Sequence, residues 1–279
     1  MCKIFKYFMT IALCLIVGVG FAANRVVPFT EAQKLATSKS ILTVGHLDYP
    51  PFYEISNGKL KGIDAEVVRE VAKRIKINKV VFVQFNSLKE LTAALDKGNI
   101  DLIANGFFST PERKQQYLMT IPYYINGGLG FLYLKGQNNF RTAKDLKGYR
   151  VGVLENSYPH LYWLPQNGIS SSEVKVYPTA QELISALKNK EIDIVVNNYT
   201  FCRYQATNNN QGQTPMITYL VQPFYVAFML RKSNTALQES LNQALLSMWK
   251  DGSLYAIELK YLPPIGINPK KEYFPINSR

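Results

Sequence analysis

A cationic side chain at the start of a short helix is the clearest chemical feature of the sequence. Arg113 ends the segment Thr110–Arg113, which follows an apolar strand predicted at Ile100–Ala104 and a glycine-bearing loop. Thr110 is a favourable helix N-cap, and the proline after it suits the first helical position. Free N–H groups at a helix start and a guanidinium both attract anions, so the segment predicts a carboxylate site. A solvated arginine, or one paired with the preceding glutamate, is the alternative.

Other kinds of chemistry have little support in the sequence. The histidines are His46 and His160, and there is no paired-cysteine metal spacing, phosphate-binding glycine loop or nucleophile-elbow motif. A nucleophile–base pair with Cys202 or a serine stays open, but no local pattern supports one. We therefore predict no cofactor and no metal ion.

Polar and aromatic loops follow the ends of several predicted strands. They are Asp48–Tyr53, Asn105–Ser109, Glu155–His160 and Asn197–Tyr199. In open α/β sheets, ligands bind outside the carboxyl ends of the strands. Two lobes that face each other would bring these loops to one cleft.

A weak internal repeat predicts two lobes of the same plan. Leu95–Ala104 and Leu187–Val196 each read as a helix end, a tight turn and a buried strand, and each follows a capping box. The boxes are Ser87…Glu90 and Thr179…Glu182. Other predicted elements are strands at Ile41–His46, Val80–Phe85 and Arg150–Leu154, a hairpin of Tyr53–Ile55 with Lys59–Lys61, a helix capped by Asp64, a short helix at Thr142–Gly148, and a helical region at Leu237–Tyr261 broken at Asp251-Gly252.

The N-terminal segment predicts export. Met1–Ala22 combines a basic start at Lys3 and Lys6, an apolar core at Ile11–Val19 and a small-residue end, which is typical of a cleaved secretory signal. A membrane anchor is the alternative, but the apolar run is short for a bilayer span. We expect a soluble periplasmic protein, with Ala23–Ser40 irregular apart from a short helix at Glu31–Thr37.

Charge and cysteine content limit the class of protein further. Loss of the leader lowers the formal charge from +12 to +10, and the scattered lysines do not indicate nucleic-acid binding. Cys2 and Cys14 leave with the leader, so Cys202 has no partner for an internal disulfide. The mature chain must depend on a large apolar core.

Several short motifs occur in an order and spacing that resemble a known family. They are Gly45–Phe52 with Tyr49-Pro50-Pro51-Phe52, Gly62–Glu66, Ile100–Gly106, Thr110–Arg113, Asp145–Gly148, Val151–Val153 and Trp249–Ser253. The chain from Ile41 to Tyr261 thereby resembles the periplasmic solute-binding proteins of polar amino-acid ABC transporters, the type that also gives glutamate-receptor ligand-binding domains. Their order, rather than any single motif, carries the resemblance.

The resemblance implies site residues on both lobes. It implies that Arg113 binds the ligand α-carboxylate, that Tyr49 stacks on the ligand, and that the backbone around Gly106 and Phe108 contributes. It also implies that the loop Asn156-Ser157-Tyr158 offers N–H groups to the same carboxylate. The complete implied set is His46, Tyr49, Phe52, Gly106, Phe108, Arg113, Asn156, Ser157, Tyr158 and Asn198. Tyr49 as a packing residue and Ser157 as a mere helix cap remain alternatives.

Three of these positions depart from the pattern that the resemblance implies. The family places an acid where His46 aligns and another where Asn198 aligns, and the second normally holds the α-ammonium. A neutral asparagine supplies hydrogen bonds but no charge. Phe108 stands where a small hydroxyl residue is common. The candidate replacement acids are Asp48, Glu54 and Glu155; otherwise the ligand lacks an amino group.

The residues and the resemblance together predict an α/β protein with the two-lobed periplasmic-binding-protein fold of type II. Two βαβ-type lobes are expected, lobe one at 23–124 plus 224–279 and lobe two at 125–223, joined by hinge crossings at Tyr123–Leu134 and Phe224–Leu230. We expect a monomer that captures an amino acid or similar small carboxylate by hinge closure and docks on an inner-membrane ABC permease. The alternative is an enzyme on the same fold, such as a cyclohexadienyl (prephenate/arogenate) dehydratase with Glu155 as general acid.

Overall fold

The computed structural model describes residues 26–27, 41–124, 127–137, 139–208 and 214–262. The predictions for Met1–Ala22, for most of Ala23–Ser40 and for the tail Pro263–Arg279 lie outside these residues. Among the described helices, none combines the length and apolarity that a bilayer crossing requires.

Strands and helices alternate along most of the described chain. The strands are β1 Val26–Val27, β2 Ile41–His46, β3 Glu54–Ser56, β4 Lys59–Lys61, β5 Lys79–Gln84, β6 Leu102–Ile103, β7 Leu118–Met119, β8 Gly128–Leu134, β9 Val151–Leu154, β10 Val174–Tyr177, β11 Ile194–Asn198, β12 Met216–Pro223 and β13 Met229–Leu230. The α-helices are α1 Ile63–Arg74, α2 Leu88–Asp96, α3 Pro111–Gln116, α4 Leu164–Gln166, α5 Ala180–Lys188, α6 Tyr199–Thr207, α7 Thr235–Asp251 and α8 Ser253–Tyr261. A turn of π-helix at Pro159–Trp163 runs into α4.

The strands form two main sheets, one in each lobe. In lobe one the order is β1-β5-β2-β6-β13-β7, and in lobe two it is β10-β9-β11-β8-β12. The strands β2, β5 and β6 run parallel to one another, as do β9, β10 and β11. Parallel strands put their carboxyl ends at the same edge of a sheet, so the loops that follow β2 and β6 share one edge and those after β9 and β11 share another.

The two connections between the lobes lie side by side. Tyr124 forms an antiparallel bridge with Val226, and β8 pairs with β12 as far as Gly128 opposite Pro223. Tyr124, Gly128 and Val226 fall within the predicted crossings Tyr123–Leu134 and Phe224–Leu230, and Pro223 directly precedes the second crossing. Paired crossings of a few residues absorb the backbone rotation in a hinge motion.

The predicted helix starts are confirmed, with one correction. Thr110 caps α3 by accepting a hydrogen bond from the Arg113 N–H at 3.3 Å, and Ser87 and Thr179 cap α2 and α5 in the same way. The prediction that Asp64 caps α1 is wrong, because Gly62 is the N-cap. Asp64 instead lies in the first turn with its carboxylate fully buried and used in a long-range contact.

The repeat found in the sequence is confirmed as a pair of similar units. Leu91 and Leu95 of α2 and Leu183 and Leu187 of α5 are buried against their sheets. The predicted strand Ile100–Ala104 is shorter than expected. Asp101 Oδ2 accepts a hydrogen bond from the Thr43 N–H at 2.7 Å, which removes one backbone donor from the ladder.

Candidate functional site

A small cavity of about 40 Å³ lies where the loops of the two lobes meet. It is lined by Leu47, Tyr49, Leu88, Asn105, Gly106, Phe107, Phe108, Arg113, Leu154, Ser157, Tyr158, Pro159, Asn197 and Asn198. We call it the head cavity. A groove of about 920 Å³ adjoins it and shares Leu47, Tyr49, Leu88 and Leu154 with its lining.

The Arg113 guanidinium is held at the head cavity without a carboxylate partner. Its Nη1 donates to the Phe108 carbonyl at 3.0 Å, and its Cζ lies 4.3 Å from the centre of the Phe107 ring. No Asp or Glu oxygen of the described residues lies within 4.0 Å of it, so the predicted alternative of a pair with Glu112 is absent. Desolvation lowers the pKa of Arg113 to about 10, which leaves the group cationic at neutral pH. Glu112 favours the charged form from a greater distance, and a partly desolvated cation without a carboxylate in contact favours an anionic ligand.

The loop after β6 builds one wall of the head cavity from backbone groups. Gly106 has φ 64, and a Cβ there would lie 2.8 Å from the Phe52 ring, so glycine is required for this close approach. The Gly106 N–H donates to Asp64 Oδ2 at 2.8 Å, and its carbonyl accepts from Asn198 Nδ2 at 3.0 Å. The backbone N–H and the backbone carbonyl of Gly106 are therefore both hydrogen-bonded within the protein.

The same loop is tied to one of the hinge crossings. The Ser109 N–H donates to the Tyr225 carbonyl at 2.8 Å, and the Ala227 N–H donates to the Phe107 carbonyl at 3.0 Å. Movement of this crossing therefore moves the wall that holds the Arg113 guanidinium.

Tyr49 connects the two lobes directly. Its hydroxyl, on lobe one, donates to Asn197 Oδ1 of lobe two at 2.8 Å. Its ring stacks on Phe201 of α6 at 4.9 Å between centres and on Phe52 at 5.6 Å. A second contact between the lobes is the hydrogen bond from the Tyr204 hydroxyl to Glu54 Oε2 at 2.8 Å.

The loop after β9 supplies side chains to the cavity, while two of its backbone N–H groups are used internally. The Asn156 N–H donates to His160 Nδ1 at 3.0 Å, and the Ser157 N–H donates to the Leu154 carbonyl at 3.2 Å. The Ser157 hydroxyl also donates to Leu154, at 2.7 Å. The prediction that these two N–H groups face a ligand carboxylate therefore does not fit the structure, because His160 accepts from the Asn156 N–H and the turn Leu154–Ser157 uses the Ser157 N–H.

Aromatic side chains close the cavity on its hinge side. Phe108 stacks on Phe224 at 5.1 Å, and the Tyr158 ring meets Phe108 edge-on at 6.1 Å. Phe108 therefore packs across the lobes where the resemblance led us to expect a small hydroxyl residue. Part of the volume next to Arg113 is occupied by the protein's own rings.

The structure brings most of the predicted site residues together and leaves three outside the lining. Those that line the head cavity are Tyr49, Gly106, Phe108, Arg113, Ser157, Tyr158 and Asn198. Phe52 is fully buried behind Tyr49, and Asn156 lines a separate cavity of about 240 Å³. His46 is buried under the loop after β2, where its ring stacks on Tyr53 at 4.2 Å and its Nδ1 meets the Leu47 carbonyl. Burial lowers the pKa of His46 to about 4, which suits a neutral packing residue.

The candidate replacement acids also lie away from the head cavity. Asp48 lines the adjoining groove, where desolvation and the nearby Glu54 raise its pKa. Glu54 is bound to Tyr204, and Glu155 is exposed and lines neither space. In the described part of the chain, no group of His, Cys, Asp and Glu side chains has the arrangement of a metal site.

Asn197 is a polar residue of the cavity lining that the implied site set does not contain. Its Oδ1 accepts from Tyr49 and from the Asn198 N–H, each at 2.8 Å, while its Nδ2 is buried without a protein partner. The signal was present, because Asn197 belongs to the loop Asn197–Tyr199 that was placed at a strand end. The resemblance points only to its neighbour, Asn198.

The buried Asp64 carboxyl behind Gly106 gives a testable pH dependence. Burial raises its pKa from 3.8 to about 7, although the Gly106 N–H and the Tyr123 hydroxyl favour the ionised form. Between these pH values the folded protein holds a proton that the unfolded chain releases, so the free energy of unfolding falls as pH rises, by about 1.4 kcal/mol per pKa unit. The variant Asp64→Asn keeps a hydrogen-bond acceptor for the Gly106 N–H and has no carboxyl to titrate. We expect it to lose the decrease in unfolding free energy between these pH values.

Urea unfolding at pH 4.5 and pH 7.5 measures the effect. The opposite contribution of His46, whose stability term rises with pH, is present in both proteins and cancels in the comparison. If the free energy of unfolding changed with pH equally in the wild type and in Asp64→Asn, Asp64 would be shown to titrate normally.

The sequence and fold were compared with known proteins. The model of the family described as bacterial extracellular solute-binding proteins, family 3, matches residues 42–264. The L-cystine-binding protein TcyJ of Escherichia coli K12 is 30% identical over 216 residues, which cover 76% of this chain and 79% of that protein. The ABC transporter arginine-binding protein 1 of the same strain is 29% identical and covers 77% of this chain and 87% of its own length.

A solved structure shows the same fold. The structure described as an ancestral arginine-binding protein bound to glutamine superimposes with a TM-score of 0.72 at 28% identity, covering 80% of this chain and 98% of that chain. The predicted two-lobed α/β fold is thereby confirmed. These relatives are solute-binding proteins and not enzymes, so the dehydratase alternative gains no support.

Proposed function

Because this chain belongs to the bacterial extracellular solute-binding proteins, family 3, we propose that it captures an amino acid or similar small carboxylate at the head cavity for an ABC transporter. The single observation that carries this proposal is the unpaired, partly desolvated Arg113 guanidinium between the lobes. The names of the relatives, which describe binders of cystine and arginine, support a ligand of this size and chemistry.

Binding and closure are coupled in this proposal. The ligand carboxylate pairs with Arg113 on lobe one, and the ligand also contacts lobe two beside Asn197, Asn198 and Tyr158. Since both sets of contacts exist only when the lobes approach, the ligand shifts the population towards the closed form. The hinge consists of the paired crossings at Tyr124–Val226 and Gly128–Pro223.

The remaining parts of the proposal concern the cell and the assembly. Lobe one is 23–124 plus 224–279 and lobe two is 125–223. The protein is a monomer, exported to the periplasm by the leader Met1–Ala22, and its closed form docks on an inner-membrane permease. The family's extracellular location and the leader's composition support this assignment.

Identification of the bound compound tests the function. Freshly purified protein is denatured and the released small molecules are analysed by mass spectrometry, followed by a thermal-shift panel of amino acids and carboxylic acids. We expect a carboxylate-bearing compound that stabilises the protein by about 2.7 kcal/mol at 100 times its dissociation constant. A panel in which only compounds without a carboxylate stabilise the protein contradicts the proposal. Turnover of prephenate or arogenate to an aromatic product would instead indicate the enzyme.

A further inference from the structure

The charged lining of the head cavity is cationic. Arg113 is the charged side chain among the described residues that line it, and no carboxylate stands there to balance a ligand cation. Glu112 lines the neighbouring cavity of about 240 Å³, which shares Arg113, Leu88, Phe107 and Tyr158 with the head cavity, and Asp48 lines the open groove. A buried ammonium needs a counter-charge or several acceptors, because desolvation of an unpaired ion costs several kcal/mol.

The free hydrogen-bonding group of Asn197 is a donor. Its Oδ1 accepts from the Asn198 backbone N–H, which cannot accept, so the identity of the oxygen is fixed and the other amide atom is Nδ2. Asn197 is 3% exposed, lines the head cavity, and its Nδ2 has no protein partner. An unpaired buried NH₂ group seeks an oxygen acceptor on the ligand and offers nothing to an ammonium.

Asn198 supplies a neutral amide whose oxygen and nitrogen both already make hydrogen bonds within the protein. Its Oδ1 accepts from the Thr200 N–H at 2.8 Å and caps α6, which again fixes the orientation of the amide. Its Nδ2 donates to the Gly106 carbonyl at 3.0 Å across the lobes. One side chain therefore uses one acceptor position of its own oxygen and one of the Gly106 carbonyl, and it adds no negative charge for an ammonium.

We propose, as a refinement that rests on the function above, that the ligand is a carboxylate whose α-carbon carries no ammonium, and that Asn198 determines this specificity. The carboxylate binds Arg113 and the Asn197 NH₂ group. A volume of about 40 Å³ holds a few atoms, so the ligand body continues into the groove of about 920 Å³. The rings of Phe107, Phe108 and Tyr158 provide apolar contact area for the carbon chain of the ligand.

Matched pairs of compounds test the proposal. Isothermal titration compares L-leucine with 4-methylpentanoate, L-phenylalanine with 3-phenylpropanoate, and L-arginine with 5-guanidinopentanoate. We expect that at least one carboxylate binds, and that its amino-acid partner binds at least 10-fold more weakly. An amino acid that binds as tightly as its partner overturns this inference and leaves the proposed function intact. Failure of all six compounds overturns both.

The variant Asn198→Asp tests the residue itself. Aspartate is also a good N-cap, so α6 is retained, while the Gly106 carbonyl is released and a negative charge enters the site. We expect the preference to shift at least 10-fold towards the amino acid of each binding pair. The control Asn234→Asp makes the same change at the N-cap of α7, outside the head cavity, and is expected to leave the preference unchanged. An unchanged preference in Asn198→Asp overturns the role of Asn198.

Discussion

Replacing Arg113 by glutamine is expected to weaken binding of any carboxylate ligand by at least about 100-fold. Removing one partner of a desolvated, hydrogen-bonded ion pair costs about 2 to 5 kcal/mol, and 2.7 kcal/mol corresponds to this factor. The guanidinium has no carboxylate partner among the described residues and contacts the Phe107 ring and the Phe108 carbonyl. Its removal therefore eliminates few stabilising contacts within the protein.

The same substitution is expected to leave the ligand-free protein as stable as the wild type, or more stable. A partly buried charge without a counter-ion costs free energy, and this cost disappears with the glutamine. Isothermal titration with the ligand identified by mass spectrometry gives the affinity, and thermal unfolding gives the stability. A variant that binds normally would show that the ligand anion is held elsewhere.

Arg141 provides the matched control. Its guanidinium lies 4.4 Å from the centre of the Tyr219 ring and donates to the Phe140 carbonyl at 2.9 Å, which matches the local contacts of Arg113 outside the head cavity, and it makes one further hydrogen bond to the Tyr133 hydroxyl. Arg141→Gln therefore loses the same kinds of contact and is expected to keep wild-type affinity. A similar loss in both variants would indicate a general effect of charge rather than a site.

Replacing Tyr49 by alanine is expected to weaken ligand binding by about 30- to 100-fold and to open the cleft. Tyr49 joins the lobes through its hydrogen bond to Asn197 and its stack on Phe201, and both contacts break when the lobes separate. Loss of a buried aromatic side chain costs about 3 to 5 kcal/mol, of which a part belongs to the contact between the lobes. A less populated closed form lowers the observed affinity in proportion.

Small-angle scattering and titration measure these two effects separately. The radius of gyration of Tyr49→Ala is expected to exceed that of the wild type and to shrink when ligand saturates the protein. Tyr49→Phe keeps the stack and loses one hydrogen bond, so its affinity is expected to fall by no more than about 10-fold. As a second control, Tyr204→Phe removes the hydrogen bond to Glu54, which joins the lobes outside the head cavity. It separates the loss of a hydrogen bond between the lobes from the loss of a residue in the cavity lining. Identical scattering for Tyr49→Ala and wild type would refute the role of Tyr49 in closure.

Local sequence patterns predicted the elements that depend on local interactions. The cap of α3 by Thr110, the caps of α2 and α5, and the break at Gly252 between α7 and α8 are all present. Each depends on a side chain and backbone groups a few residues away, so the order of residues is sufficient. Asp64 is the exception, because an acid in a first helical turn looks the same whether it caps the helix or binds a distant N–H group.

The order of residues is enough to predict the α/β class, the repeat of two similar units and the position of Arg113 beside a helix start. The packing of the two lobes fixes which polar groups near Arg113 remain free. Tyr49 and Asn197 are 148 residues apart, and Asn198 and Gly106 are 92 apart, yet their contacts assign the donors and acceptors of the site. A hydrogen bond between distant residues depends on how two lobes pack, and no spacing within either segment encodes that packing.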